Sequence, residues 1–225
     1  RMVLPQQTSE LRKAWWNADL QFDNLSAELL RLYMGGEWPM KTVTGVFAPR
    51  LHIEGSPADQ IRLRGALTFK QLAIDAPDLF TAPLSPGDGQ AEFAFDWKPQ
   101  RLGITLFDFR SKELRLTVKG ETRLTGNHDP HVQLNVTAPV LSLAALRKYL
   151  PLKMMDSPPL ESLVGSLQEG ELQLKRLGIN GSLSELRSAA QSAAKGLVWF
   201  DGELRNVGLR PIADGYLPLQ GIQAL

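Results

Sequence analysis

The chain has no cysteine. Disulfides, thiolate catalysis and cysteine-based zinc sites are therefore excluded, and the lack of thiols suits an oxidising compartment. Histidine is scarce too, with 3 residues, His52, His128 and His131. Net charge is nearly absent: 25 Lys and Arg stand against 24 Asp and Glu, for a formal charge of +1. That removes the basic footprint of a general nucleic-acid binder. No apolar run approaches the roughly 18 residues needed to span a bilayer, and no secretory signal pattern opens the chain. The first residue is Arg1 rather than Met. The expectation is a single β-rich segment, 1–225, of a longer protein whose flanks hold a membrane anchor or signal. At 43% hydrophobic and 22% charged residues, the composition is that of an ordinary globular domain and too apolar for a disordered chain. At 225 residues it can build a core without a disulfide or metal.

Most of what is present reads as strand. Apolar and polar residues alternate, as they must when successive side chains point to opposite faces of a sheet. Ala91, Phe93, Phe95 and Trp97 alternate with Glu92, Ala94, Asp96 and Lys98. Leu114, Leu116 and Val118 alternate with Arg115, Thr117 and Lys119. Val132, Leu134 and Val136 do the same with Gln133 and Asn135, and Ile61, Leu63, Leu67 and Phe69 share a face over 61–69. One apolar and one wet face favours an antiparallel sheet. Short turns are expected at 85–89, 98–101 and 126–130, where Ser, Pro, Gly, Asp and Asn cluster, giving a meander of hairpins.

A repeat overlies this pattern, with apolar residues at offsets zero, two, five and seven. Its copies are Leu20, Phe22, Leu25, Ala27; Leu67, Phe69, Leu72, Ile74; Leu172, Leu174, Leu177, Ile179; and a degenerate Gly202, Leu204, Val207, Leu209. In a flat strand the odd step would turn the second pair to the other face. A β-bulge would absorb the extra residue, keep one face apolar and bend the sheet. Chance matches among Leu-rich strands are the alternative. Helices are few: 9–16, 142–150 ending before Pro151, a stripe of Leu160, Leu163, Val164 and Leu167 between Ser157-Pro158-Pro159 and Gly170, and 184–195 before Gly196.

Catalytic constellations are thin. His128 and His131 flank Asp129-Pro130, and a two-His, one-carboxylate metal site can be drawn there, but a proline turn lacks regular ligand spacing and a solvated turn is the better reading. His52 sits in an alternating strand. Gly165-Ser166 has no Gly-x-Ser-x-Gly context. Gly35-Gly36 and Gly87-Asp88-Gly89 lack the lysine or helix of a phosphate loop. Asp75 and Asp78 are anonymous carboxylates. Trp15, Trp16, Trp97 and Trp199 could stack on sugars, though packing is their commoner fate. The reading is no enzyme, no cofactor and no metal. What remains is a broad apolar sheet face with too few helices to cover it. It must close on itself, meet a second sheet, or stay open as a groove. The groove residues are expected to be Leu63, Leu67, Phe69, Phe93, Phe95, Trp97, Leu114, Leu116, Val118, Val132, Leu134 and Val136, with core packing the other reading for each.

The segment 131–225 resembles a known family. The strand 131–136 runs into Thr137-Ala138-Pro139-Val140-Leu141. Leu143-Ala144-Ala145-Leu146-Arg147-Lys148-Tyr149-Leu150-Pro151, a helix, and Gly170-Glu171-Leu172-Gln173-Leu174 follow, then Asn180-Gly181-Ser182-Leu183. Phe200-Asp201-Gly202-Glu203-Leu204-Arg205-Asn206-Val207 and Tyr216-Leu217-Pro218-Leu219-Gln220-Gly221-Ile222 close the chain. This order is similar to the YhdP-like branch of the AsmA-like proteins, although Met154-Met155-Asp156 departs from it. The resemblance implies a central segment of a Gram-negative envelope protein, periplasmic and tethered to the inner membrane by missing flanking segments. Its apolar β groove would carry phospholipid or another acyl lipid between inner and outer membrane without catalysis. The implied fold is mainly β with a few short helices, a curved antiparallel meander forming a taco-like groove, helices at its edge or end. The alternatives are a closed β-sandwich adaptor that binds another envelope protein, and a carbohydrate-binding or hydrolytic β domain with a polar cleft. No nucleic acid is expected as a partner, and open edges would allow dimers of the isolated segment.

Overall fold

The computed structural model describes residues 14–29, 40–124, 129–149, 167–187 and 196–209. The described residues form one ten-stranded antiparallel sheet that does not close. Its strands are β1 (Trp16–Gln21), β2 (Leu25–Ser26), β3 (Thr42–Ser56), β4 (Gln60–Asp75), β5 (Leu84–Lys98), β6 (Arg101–Ser111), β7 (Arg115–Arg123), β8 (His131–Ser142), β9 (Leu167–Ser182) and β10 (Val198–Leu209). The order across the sheet is β1-β3-β4-β5-β6-β7-β8-β9-β10, with β2 also on β3. The short helices are a turn over 27–29, α1 (Leu143–Tyr149) and α2 (Leu183–Arg187). From β3 onward each strand pairs with the next in the chain, the arrangement that antiparallel hairpins favour. The fold is therefore the expected mainly β meander.

The repeat marks real bulges. In β4, Phe69 pairs with Gly89 and Leu72 with Gly87, so two residues of β4 oppose Asp88 alone. Gln71 takes a left-handed conformation there (φ 52°), and its N–H donates to Asp88 Oδ1 at 2.8 Å. In β10, Arg205 pairs with Glu171 and Gly208 with Glu169, leaving Asn206 (φ 52°) and Val207 against Gly170. In β9 the extra residue falls between Leu174 and Leu177. In the first copy Asn24 (φ 60°) marks the break between β1 and β2. Each bulge absorbs the odd step and returns the next apolar pair to the same face.

That break lies opposite Pro49. Phe22 N–H donates to the Pro49 carbonyl at 3.0 Å. A strand residue's N–H and C=O point to the same side, so the N–H that proline lacks would also have faced the β1–β2 side. A proline is tolerated there because the ladder is already interrupted.

Two apolar clusters close one end of the sheet's apolar face. One joins Ala27, Phe47, Phe69 and Leu72; the other joins Leu114, Ala138, Leu141 and Ala145, with Leu116, Leu146, Tyr149 and Leu174 against it. Phe109 packs on both. Phe69 on β4 and Phe109 on β6 stack with centroids 5.2 Å apart. They meet across β5 because their partners on that strand are only Gly89 and Ala91. Leu143 of α1 is fully buried, so the apolar side of this helix seals that end.

Several expectations need correction. Residues 85–89 are no turn but part of β5; its irregular start pairs Leu84 with Ile74 and Gly87 with Leu72, so tertiary pairing overrides the turn residues. Leu167 and Gly170 belong to β9, not to a helix or its end; the rest of that stripe lies outside the described residues. Trp16 opens β1 rather than ending a helix, with 9–13 outside the described residues. The 142–150 expectation agrees with α1, and the two-residue turn Pro99–Gln100 lies where 98–101 was expected to bend. Of 184–195, α2 covers only the start; 188–195 and 125–128 lie outside the described residues.

Candidate functional site: an open apolar face

Residues paired directly in an antiparallel ladder project to the same face. Register therefore turns single-strand alternation into rows that cross the sheet. One row reads Leu20, Leu51, Gly65, Phe93, Phe107, Val118, Val136, Leu177 and Phe200 from β1 to β10. The next reads Ala18, Ile53, Leu63, Phe95, Ile104, Gly120, Leu134, Ile179 and Val198. A third carries Trp16, Gly55, Ile61, Trp97, Leu102, Thr122, Val132 and Gly181. No charged side chain interrupts any of them. At about 4.8 Å per strand the first two rows run for roughly 38 Å and the third for roughly 34 Å.

These rows are half-covered, unlike the clusters at the sheet end. Trp97 is 38% exposed, Leu102 40% and Phe200 73%. The edge strands β1 and β10 have no further partner among the described residues. The glycines make room for their neighbours. A Cβ on Gly65 would stand 3.0 Å from Phe93 Cζ, and with that space open the Phe93 ring stacks on Phe95 at 5.4 Å.

The expected groove residues divide. Leu63, Phe93, Phe95, Trp97, Val118, Val132, Leu134 and Val136 lie in the open rows. Leu67 and Leu116 lie on the same face but pack against the end clusters. Phe69, 2% exposed, and Leu114, 8% exposed, belong to those clusters outright; here core packing is the correct reading. Sequence reasoning missed Leu102, Ile104, Phe107 and Phe109 on β6, where the extra residue lies between Ile104 and Phe107. Their offsets of zero, two, five and seven repeat the motif and could have revealed them. It also missed the contribution of Leu51 and Ile53, visible only through pairing with β4.

The opposite face is wet and laced with ion pairs. In the ladder Glu54 stands opposite Arg62 and Arg62 opposite Asp96 across β3–β5. His52 Nδ1 lies 2.8 Å from Asp19 Oδ1. Asp108 takes hydrogen bonds from the Arg110 guanidinium, and this bond holds Arg110 above its ordinary value. Trp199 is also on this face, lying over Gly178 with the Arg176 guanidinium 4.7 Å above its ring. The tryptophans thus do not converge on a polar cleft: Trp16 and Trp97 share a row with two strands between them, and Trp199 faces away.

The histidine turn is occupied by structural bonds. Ser184 donates its N–H (3.0 Å) and hydroxyl (2.6 Å) to the Asp129 carboxylate, which lowers the Asp129 pKa. His131 Nε2 lies 2.9 Å from Asn180 Oδ1, and His128 is outside the described residues. Among the described residues no three metal-ligating side chains are grouped together. No helix among them is long and apolar enough to cross a membrane. At the sealed end Lys148 Nζ (2.8 Å) and the Tyr149 hydroxyl (3.1 Å) both donate to Glu113 Oε2. The Lys148 bond lowers the Glu113 pKa; burial, then the Glu113 bond, raises that of Tyr149.

Comparison with known proteins found no matching family model, no matching curated protein and no matching solved structure. The functional reading therefore rests on the chain's own face and edges.

Proposed function

We propose that the open apolar face is a lipid-bearing surface, and that this chain is one segment of a non-enzymatic conduit for phospholipid in a cell envelope. The AsmA-like resemblance of 131–225 points the same way, and with it a periplasmic location and a tether in flanking segments. The observation that carries the reading is the set of uncharged rows, two of them crossing from β1 to β10 and one from β1 to β9, half-exposed and open at both edges.

Exposing a lipid tail to water costs about 0.8 kcal/mol per CH₂, so a 16-carbon chain costs on the order of 12 kcal/mol. An apolar wall offsets that cost along its length and needs no covalent chemistry. The charged opposite face keeps the segment in solution. A closed sandwich would bury the same rows against a second sheet, and none faces them among the described residues.

Native mass spectrometry of the purified chain, with lipid extraction, tests the proposal. Phospholipid is expected on the wild type and absent from a folded Leu134→Asp variant. Equal lipid content in both proteins overturns it. Leu134 is a better position than Leu116, whose packing on the sealed end would confuse lost binding with lost folding.

A further inference from the structure

At the hairpin end of the sheet the ladder sets Lys98 opposite Arg101 and Arg101 opposite Arg123. Like charges placed directly across a ladder repel. The neighbouring row on the same face shows the usual solution, acid against base, in Glu54, Arg62 and Asp96. Here a single carboxylate, Glu121, serves two cations: its oxygens contact Arg101 (2.6 Å) and Arg123. Lys98 has no ion-pair partner among the described residues.

These three cations line a shallow, open concavity of about 420 Å³ together with Pro99, Gln100 and Leu124. A bond from Leu124 N–H to the Gln100 carbonyl (2.8 Å) joins its two sides. Trp97 and Leu102 precede and follow this row in the chain, and they are a cross-strand pair in the open apolar rows. A cationic row on the wet face thus meets the apolar face at one rim, and Lys and Arg side chains are long enough to bring their charged ends to that rim.

We propose that Lys98, Arg101 and Arg123 form an anion site for a phosphate group, which on the lipid-bearing reading above is the head-group phosphate of a phospholipid whose tails lie on Trp97 and Leu102. A phosphate brings the negative charge that the row lacks and accepts several hydrogen bonds from the two guanidinium groups. It also gives the apolar face a polarity: head groups travel along the rim of the β5–β6 turn, away from the end sealed by α1.

The test uses the full chain and three probes: dihexanoylphosphatidic acid, dihexanoylglycerol and inorganic phosphate. Titrations are followed by calorimetry for the wild type and for a Lys98→Gln/Arg123→Gln variant, and in the wild type also by NMR shifts of the Arg123 guanidinium. The expected result is tighter binding of the phosphatidic acid than of the glycerolipid. That advantage should fall about tenfold in the double variant, the effect of two exposed charge contacts, and shrink with added salt. The glycerolipid should bind both proteins alike. Equal affinity for the two lipids in both proteins overturns the anion site and leaves the apolar-face reading standing. Inorganic phosphate that shifts Arg123 while neither lipid binds keeps the anion site, assigns it to free phosphate and overturns the lipid reading.

Discussion

Gly45 on β3 stands hard against Gln71, the left-handed residue of the β4 bulge. A methyl at Gly45 would lie 3.3 Å from the Gln71 carbonyl oxygen and 2.9 Å from that of Lys70. Across the sheet Gly170 stands in the same relation to Asn206, at 3.0 Å from its carbonyl oxygen. Both glycines have φ near +130°, a region closed to other residues. The same bulge is thus built twice from a glycine on one strand and a left-handed residue on the next.

Gly45→Ala and Gly170→Ala are each expected to destabilise the chain by about 1–3 kcal/mol, through backbone strain and contact with the bulge. Gln71→Gly should do the opposite and stabilise by up to about 1 kcal/mol, because it removes the left-handed penalty. Urea denaturation at equal protein concentration measures all three. A neutral Gly45→Ala would mean that the bulge relaxes freely.

Phe69 and Phe95 test the division between sealed end and open face. Phe69 is buried on Phe109, so Phe69→Ala should cost about 3–5 kcal/mol and leave a cavity. Phe95 is half-exposed in the open rows, and Phe95→Ala should cost about 1–2 kcal/mol. Equal losses would place both in one closed core.

The docking of α1 should depend on pH. Glu113 is held below its ordinary value of 4.5, first by the bond from Lys148. A lowered carboxylate contributes stability above its unfolded pKa and loses it as pH falls through the folded one. Amide protection in α1 should therefore weaken below about pH 4.5. Tyr149 is raised above 10.0, so its contribution is present below that pH and declines above it. Glu113→Gln should flatten the acid limb in hydrogen exchange; an unchanged profile would detach Glu113 from the effect.

The β10 edge should make the isolated chain associate. It is long, and Phe200 and Leu204 on it are exposed, which is a template for another strand. Sedimentation velocity should show concentration-dependent dimers, reduced by Phe200→Lys. Dimers unaffected by that change would place the contact elsewhere.

The strands, their antiparallel sense and the bulges were legible in the sequence because they are local. A period of two fixes a strand's faces, and an odd step in that period requires an extra residue that must bulge. Local signals failed where long-range pairing overruled them. Pro86 and Gly87 read as a turn, yet they lie in β5 because β4 supplies ladder partners there. Gly170 read as the stop of a helix, yet it opposes Asn206 in a strand pair.

The candidate site divides along the same line. Alternation named Leu134 and Phe95 as apolar-face residues. It could not show that they fall in one row with Ile104 and Ile179, since row membership depends on register between distant strands. Nor could it separate Phe69 from Phe95, which look alike in sequence; burial follows from what covers a position, and only the former lies under the 27–29 turn and Phe109. The cationic row was equally hidden. Lys98, Arg101 and Arg123 are scattered along the chain, and the ladder alone sets them side by side. The sequence by itself determined which residues are apolar and which way each strand turns them. The tertiary structure decided which of them are neighbours, because antiparallel pairing aligns positions that chain distance does not.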